Sequence, residues 1–481
     1  MTLSRSQILD VACRQNFSTF FERCFYELEP GTPFQDYWYL HAMAEALRQV
    51  LAGEVTRQII NVPPRSGKSL MVTIAFTAFL LGHDPRKRII CVSYSEDLAK
   101  AHAAAFRAIV SKAWFRRLFP RFQIARGADR ATEVMTSDRG FRYSVSIGGS
   151  VMGRGADLII GDDAMGPMTA ISEAHRRREI TLWDTAHRTR LNNKKKGAII
   201  LVSQRLHEED LVGHVMQSDD WRLLSLPAIS EEEKVYRVGP RADDLYRRPP
   251  GEVLSPDREP IEILEQMRLD MGSIAFSAQY LQNPIPAGGN LIKREWLRYY
   301  EERPSKFDHL IASWDTASTL DERSSFSVGS LWGMVGPNIY LIDLVRGRWE
   351  TPELRQIIIR QNEEWNPEAT VIEETELGRT LVQDLHRSGD LRAQLHRPVG
   401  GKQSRLEVQS VKFETGRVHL PSLSSAPWIT NYVAELLAFP QGKHDDQVDA
   451  TSQALNYLAA FIARSGPLYR REITRRDVVR R

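Results

Sequence analysis

Arg57-Gln-Ile-Ile-Asn-Val-Pro-Pro-Arg-Ser-Gly-Lys-Ser69 begins as a short apolar run and ends in a glycine, a lysine and a hydroxyl residue. The run from Arg57 to Val62 reads as a buried strand, and Ser69 to Leu81 reads as the helix that follows it. A loop in that position can hold phosphate if its backbone N–H groups curl around the oxygens. It then needs a lysine for the β and γ phosphates and a hydroxyl for Mg²⁺. Arg65, Ser66, Gly67, Lys68 and Ser69 are therefore candidate ATP-binding residues, with Ser69 also a candidate Mg²⁺ ligand. The loop departs from the usual pattern at Val62, where the first glycine is expected, and at the two prolines after it.

Further strand patterns flank this one. Arg88-Ile-Ile-Cys-Val-Ser93, Asp157-Leu-Ile-Ile160 and Gly197-Ala-Ile-Ile-Leu-Val-Ser203 are apolar, and helical stretches separate them. Strands alternating with helices predict a parallel sheet with helices on both faces, a doubly wound α/β domain over residues 1–227. The second of these strands runs into Gly161-Asp162-Asp163. Two acids at a strand end suit one carboxylate on Mg²⁺, assigned to Asp162, and one that orients the attacking water, assigned to Asp163. Ser203-Gln204-Arg205 ends a third strand, where polar side chains can register the γ-phosphate.

From Ala228 to Pro260 the chain turns charged and rich in Pro and Gly, and residues 228–295 read as a linker or small subdomain. A second α/β pattern starts at His309-Leu-Ile-Ala-Ser-Trp314. Ser325 to Trp332 and Asn338 to Val345 predict hairpin strands, Thr351 to Trp365 a helix, and Ala369 to Ile372 another strand. Three antiparallel strands, a helix and a further strand suit an RNase H-like domain over residues 296–463, leaving an arginine-rich tail at 464–481.

This second domain carries acids at strand ends and at the start of a helix. Phosphodiester cleavage with two metal ions needs several carboxylates within about 4 Å of the cations. Asp315 ends the first strand, Glu373 a later one, and Lys443-His-Asp-Asp-Gln-Val-Asp449 opens a C-terminal helix. On a helix Asp446 and Asp449 share a face at i, i+3, as do Asp445 and Asp449 at i, i+4. Asp315, Glu373 and Asp446 are the candidate catalytic carboxylates. Asp315, Glu373, Asp445, Asp446 and Asp449 are the candidate metal ligands, and the sequence does not choose among the last three.

The composition frames these readings. The chain has 481 residues, 42% hydrophobic and 26% charged, with net charge +3, which fits a globular protein of two domains. Cys13, Cys24 and Cys91 fit no zinc spacing or disulfide framework and read as packing residues of a reducing compartment. Met71 to Leu81, the longest apolar run, is far short of the roughly 20 residues that span a bilayer. The N-terminus lacks the apolar core of a signal peptide. No membrane partner and no secretion are expected.

Taken in order, Pro63-Pro-Arg-Ser-Gly-Lys-Ser69, Asp162-Asp163 and Ser203-Gln-Arg-Leu-His-Glu-Glu-Asp-Leu211 resemble the ATPase half of tailed-phage terminase large subunits. Gln282-Asn-Pro284, Ser313-Trp-Asp-Thr-Ala317, Gly416-Arg-Val-His-Leu-Pro421 and His444-Asp-Asp-Gln-Val-Asp-Ala450 resemble the remainder of that family. The resemblance implies an ASCE-type P-loop packaging ATPase joined to an RNase H/RuvC-like nuclease. It implies Mg²⁺-ATP for the motor, Mg²⁺ or Mn²⁺ for cutting, and double-stranded DNA as the substrate. It also implies a portal protein, a small terminase subunit and a homo-oligomer, typically a pentamer on the procapsid, with a monomer expected for the isolated chain. The implied location is the host cytoplasm and, transiently, the procapsid. Arg154, between Gly153 and Gly155, resembles the family's trans-acting arginine finger, and a DNA or surface contact is its alternative. Arg65 resembles the family's loop arginine near the γ-phosphate. Gln35 and His41 stand where base-contacting residues precede the first strand, and the sequence does not decide between them. A helicase–nuclease and a non-catalytic DNA or portal adaptor are the rival readings. The first would usually carry two ATPase lobes, and the intact Lys68, Ser69, Asp162, Asp315 and Glu373 argue against the second.

Overall fold

A computed structural model of the chain describes residues 5–217, 220–284, 291–316, 326–442, 444–465 and 471–472. The apolar runs become strands of an eight-stranded sheet. In chain order they are β1 (Arg57–Asn61), β2 (Arg88–Ser93), β3 (Ile124–Arg130), β4 (Glu133–Thr136), β5 (Phe141–Ser146), β6 (Leu158–Asp162), β7 (Ala198–Ser203) and β8 (Arg222–Ser225). The sheet order is β3-β4-β5-β2-β6-β7-β1-β8, and all neighbours from β5 to β8 are parallel. At one edge β3 pairs antiparallel with β4, and β4 antiparallel with β5.

Alternation along each strand divides its side chains between two faces. Ile60, Val62, Ile89, Cys91, Leu158, Ile160, Ile200 and Val202 join a core that includes residues of the helices Phe17–Leu28, Trp38–Leu51 and Glu96–Val110. Ile59, Ile90, Val92, Ile159, Ile199 and Leu201 join a second core with Trp183, Leu211 and Val215. Burial on both faces explains why these strands read as continuous apolar runs. Cys13, Cys24 and Cys91 are free and buried, as expected of packing residues.

Val62 has a structural reason to replace a glycine. It is fully buried, and its N–H donates to the Ser203 carbonyl at 3.2 Å, extending β1 along β7 before the loop begins. Gly161 has one too. A Cβ there would meet Leu201 Cδ2 at 2.6 Å and the Trp183 ring at 3.1 Å. Gly161→Val is therefore expected to cost about 1–3 kcal/mol through overpacking. A thermal melt read by circular dichroism checks this; an unchanged first transition would show that the site yields.

The chain divides into two compact units. One is Met1–Arg268 with Ser273–Ile285, and the other is Leu269–Gly272 with Pro286–Arg481. The Pro- and Gly-rich stretch after Ala228 thus packs with the first unit, and its structure is specific. It contains the hairpin β9 (Lys234–Arg237) and β10 (Leu245–Arg248). Tyr246 stacks on Trp38 at 4.4 Å, and the fully buried Arg248 donates to the carbonyls of Pro227, Ala228 and Glu252.

The second unit contains β11 (Arg298–Tyr300), the two-residue β12 (Lys306–Phe307), β13 (His309–Asp315), β14 (Ser327–Val335) and β15 (Asn338–Gly347). It continues with β16 (Ala369–Glu373), β17 (Gln394–His396) and β18 (Val418–Pro421). Seven of these form one sheet in the order β11-β18-β15-β14-β13-β16-β17. β14 runs antiparallel to both β13 and β15, and β16 runs parallel to β13, the order expected of an RNase H-like core. Trp314, Leu331, Ile372 and Leu381 pack with the helix Thr351–Trp365 through Leu354 and Ile358. The C-terminal helix is Asp446–Ser465, and most of the arginine-rich tail lies outside the described residues.

Candidate functional site

The phosphate loop leaves β1 and bends through two left-handed residues, Arg65 (φ +57°) and Gly67 (φ +77°). Such bends turn backbone N–H groups inward as an anion cradle. The Ser66 hydroxyl donates to the Pro63 carbonyl at 2.8 Å, bracing the loop from within. Lys68 is only 6% exposed although it carries a charge, so it needs polar partners. It finds Asp163 Oδ2 at 3.3 Å and the Gln204 side-chain oxygen at 3.3 Å. Lys68, Asp163 and Gln204 therefore meet across the mouth of the loop, from the ends of three neighbouring strands.

Asp162 ends β6 and is fully buried. The Ser69 hydroxyl donates to its Oδ1 at 3.0 Å and the Thr73 hydroxyl to its Oδ2 at 2.6 Å. Burial pushes its carboxyl upward, and the two hydroxyls, Lys68 and Arg142 oppose that shift. Ser69 and Asp162 thus stand close enough to share one cation, and both are hard oxygen ligands suited to Mg²⁺. Asp163 adopts a left-handed backbone at φ +41°, a cost tolerated where a residue must be aimed. Its carboxyl is also raised by burial, against the pull of Lys68.

The other predicted residues of this unit fall less tightly together. Arg65 is exposed, and its carbonyl accepts from Arg258 Nη1 at 2.6 Å. Gln35 is exposed, while His41 pairs with Asp36 at 2.8 Å. Arg154 lies before β6, where Glu133 holds its guanidinium at 3.1 Å and the Tyr143 ring sits 4.2 Å beneath it.

In the second unit β13 and β16 run side by side and end at Asp315 and Glu373. The two carboxyls therefore lie on adjacent strand ends and interact, and Asp449 from the C-terminal helix adds its charge. Burial raises the Asp315 carboxyl well above the usual range. The neighbouring Glu373 carboxyl and the charge of Asp449 raise it further, and Lys402 counters them. Asp449 is buried, and Lys402 reaches its Oδ2 at 2.6 Å while Arg405 reaches its Oδ1 at 2.5 Å. Asp445 is tied to the same Lys402 at 2.8 Å. Asp446 turns elsewhere: its Oδ2 is 4.0 Å from Arg346 and, although buried, accepts no hydrogen bond.

The structure thus gathers Asp315, Glu373 and Asp449, with Asp445 linked through Lys402 and Asp446 facing Arg346. Among the described residues no three acidic, histidine or cysteine side chains stand at metal-ligand spacing. The donor chemistry still fits a hard divalent cation: carboxylates drawn together, one carboxyl strongly raised, and cationic side chains offsetting their charge.

Residues 312–458 match the family described as terminase RNaseH-like domain, a span that includes Asp315, Glu373 and Asp449. The large terminase subunit of Enterobacteria phage T3 is 25% identical over 260 residues, covering 50% of this chain and 43% of that protein. The match therefore spans less than half the length of that relative. The solved structure of a large terminase from a thermophilic bacteriophage shares the fold with a TM-score of 0.52 at 9% identity, covering 86% of this chain and 98% of that one. The chain is thus similar to phage large terminases over part of its length, and to one of them in fold.

Several residues around these two centres escaped the sequence reading. Thr73 lies one helical turn after Ser69, so the i, i+4 spacing could have flagged it. Gln282, quoted above only as part of a motif, accepts from the Arg205 N–H at 3.0 Å, and Arg205 pairs with Asp210 at 2.9 Å. Arg142 had no signal at all. It is a fully buried cation bonded to Thr73, Thr77 and Ser144. Lys402 and Arg405, at i, i+3, were likewise invisible without the fold.

Proposed function

We propose that this chain is a terminase large subunit, an ATP-driven motor that moves double-stranded viral DNA into a procapsid and a metal-dependent endonuclease that cuts concatemeric DNA. The observation that carries this reading is one constellation in each unit: Lys68, Ser69, Asp162 and Asp163 in the first, and Asp315, Glu373 and Asp449 in the second. Neither alone separates a packaging enzyme from other ATPases or nucleases; both in one chain related to the large terminases do.

In the first unit the loop N–H groups and Lys68 would bind the ATP phosphates, and Ser69 and Asp162 would hold Mg²⁺. Asp163 would orient the attacking water, and Gln204 would register loss of the γ-phosphate. Arg65 and Ser66 shape the loop, and Gln35 or His41 is the candidate for base contact. In the second unit Asp315, Glu373 and Asp449 would hold Mg²⁺ or Mn²⁺, with Asp445 and Asp446 at the same helix start. A divalent cation there supplies Lewis-acid charge to the scissile phosphate and an activated water. The proposed partners are DNA, a portal ring, a small terminase subunit and further copies of this chain on the procapsid. The proposed setting is the host cytoplasm. No helix among the described residues is long and apolar enough to cross a membrane.

Purified full-length chain tests this directly, by ATP hydrolysis in Mg²⁺ and by nicking of supercoiled plasmid in Mg²⁺ or Mn²⁺. Both activities are expected. Absence of both would leave a non-catalytic adaptor as the better reading.

Arg154 is proposed as the finger that reaches a neighbouring copy's ATP once it leaves Glu133. Arg154→Ala is expected to abolish turnover while ATP binding, measured by a fluorescent analogue, persists. Mixed with a Lys68→Ala subunit it should recover part of the turnover. No rescue at any mixing ratio would count against action in trans.

A further inference from the structure

The acidic centre of the second unit already holds cations of its own. Asp449 has two carboxylate oxygens, and each is taken: Oδ1 by Arg405 at 2.5 Å and Oδ2 by Lys402 at 2.6 Å. Lys402 also reaches Asp445 Oδ1 at 2.8 Å. A divalent ion placed against either oxygen meets a positive charge already there, so the ion and the two side chains compete for the same carboxylate.

The placement of the two basic residues is itself unusual. Both come from the start of the helix Lys402–Glu414, whose first turn holds no acidic residue. The positive end of a helix dipole disfavours cations there. Asp446 and Asp449, by contrast, occupy the first turn of Asp446–Ser465, where a carboxylate is favoured. The basic helix start is tolerated because it faces the acidic one. Lys402 and Arg405 lie three residues apart and so share a helix face, which lets both reach one carboxylate. The helix follows Gly400-Gly401, and Gly400 has φ +85°, a conformation that side chains disfavour. A backbone joint thus lies just before the two cations.

We propose that Lys402 and Arg405 are resident counter-cations of the carboxylate centre, so that a divalent metal ion loads by displacing them from Asp449 and they set the metal affinity of the site. The proposal rests on the reading of Asp315, Glu373 and Asp449 as metal ligands. Its physical basis is competition: whatever stabilises the metal-free form must be given up before the ion binds, and lowers the apparent affinity accordingly. In the metal-free chain the pair offsets repulsion among buried carboxylates. In the loaded chain the ion takes over that role.

The test is Mn²⁺ binding to the full-length chain without nucleotide, followed by the electron paramagnetic resonance of free Mn²⁺. Wild type, Lys402→Gln, Arg405→Gln, the double variant and Lys402→Arg are compared, with Asp315→Asn identifying the sites that belong to this centre. Lys402→Gln and Arg405→Gln are each expected to tighten Mn²⁺ binding at the Asp315-dependent site, and the double variant by about tenfold or more, since each frees a buried carboxylate oxygen. Lys402→Arg keeps a cation there and is expected to bind as wild type does. A second readout is thermal: the double variant should melt lower than wild type without metal and gain more from added Mn²⁺. Unchanged or weaker Mn²⁺ binding in both single variants would overturn the proposal. An Asp315→Asn chain that binds as many Mn²⁺ ions as wild type would instead overturn the ligand assignment, and the proposal with it.

Discussion

Lys68→Ala is expected to reduce ATP hydrolysis by about 10²–10³-fold or more, the loss typical of removing one preorganised donor from a developing charge. Metal-dependent DNA nicking should survive in the same preparation. The effect is large because Lys68 is nearly buried and its ammonium is directed between Asp163 and Gln204. No other lysine occupies the loop, and water is a poor substitute in a site so enclosed. The side chain has a second role in the empty site, since it offsets the upward shift of both acidic carboxyls. Its loss therefore weakens the ionised state of Asp162, the proposed Mg²⁺ ligand. Steady-state phosphate release and plasmid nicking, measured side by side, check this. Equal loss of both activities would sink the separation of the two sites.

Asp315→Asn should do the reverse, lowering DNA nicking by more than the roughly 10–100-fold that loss of even an outer partner of a metal ligand costs. ATP hydrolysis should continue. Asp315 lies where β13 and β16 bring two carboxyls to adjacent strand ends, and among the described residues the next acids are otherwise engaged: Glu374 by Arg379, while Asp446 faces Arg346. The same geometry predicts that the variant folds well. A carboxyl raised above its unfolded value contributes stability fully below that unfolded value and loses it as pH rises through the folded one. Ionising Asp315 in the metal-free chain therefore costs stability as pH rises, and the neutral amide removes that cost. The Asp315→Asn chain is expected to melt no lower than wild type at about pH 7 without metal. A lower melting temperature together with lost nicking would mean that Asp315 serves the fold, not the reaction.

Much of the architecture was legible because strands buried on both faces need apolar side chains at every position. β1, β2, β6 and β7 carry such runs, and so does β13. β5 was not legible, since Phe141-Arg-Tyr-Ser-Val-Ser146 places Arg142 and Ser144 in the middle of a buried strand. Arg142 is satisfied by Thr73 and Thr77 from a distant helix and also donates to Ser144, a partnership that no local pattern reveals. The stretch after Ala228 was legible only as a linker or small subdomain, for a related reason. Its prolines, glycines and charges describe a loop-like backbone, but Tyr246 stacks on the ring of Trp38 and Arg248 lies over it, a partner far away in the chain.

The phosphate loop marks the boundary between the two kinds of information. By itself the sequence determined that Arg57 to Ser69 is a strand running into an anion-binding turn, because glycine freedom, a lysine and a hydroxyl at that spacing are local requirements. It equally determined that Asp162, Asp315 and Glu373 stand at strand ends. Only the tertiary structure decided why Val62 can stand where glycine is usual, since its partner is the Ser203 carbonyl on β7. Only the tertiary structure chose Asp449 over Asp446 as the neighbour of Asp315 and supplied Lys402 and Arg405 to it. Those choices depend on how a helix is rotated against a sheet, and that rotation is set by packing contacts far apart in the chain.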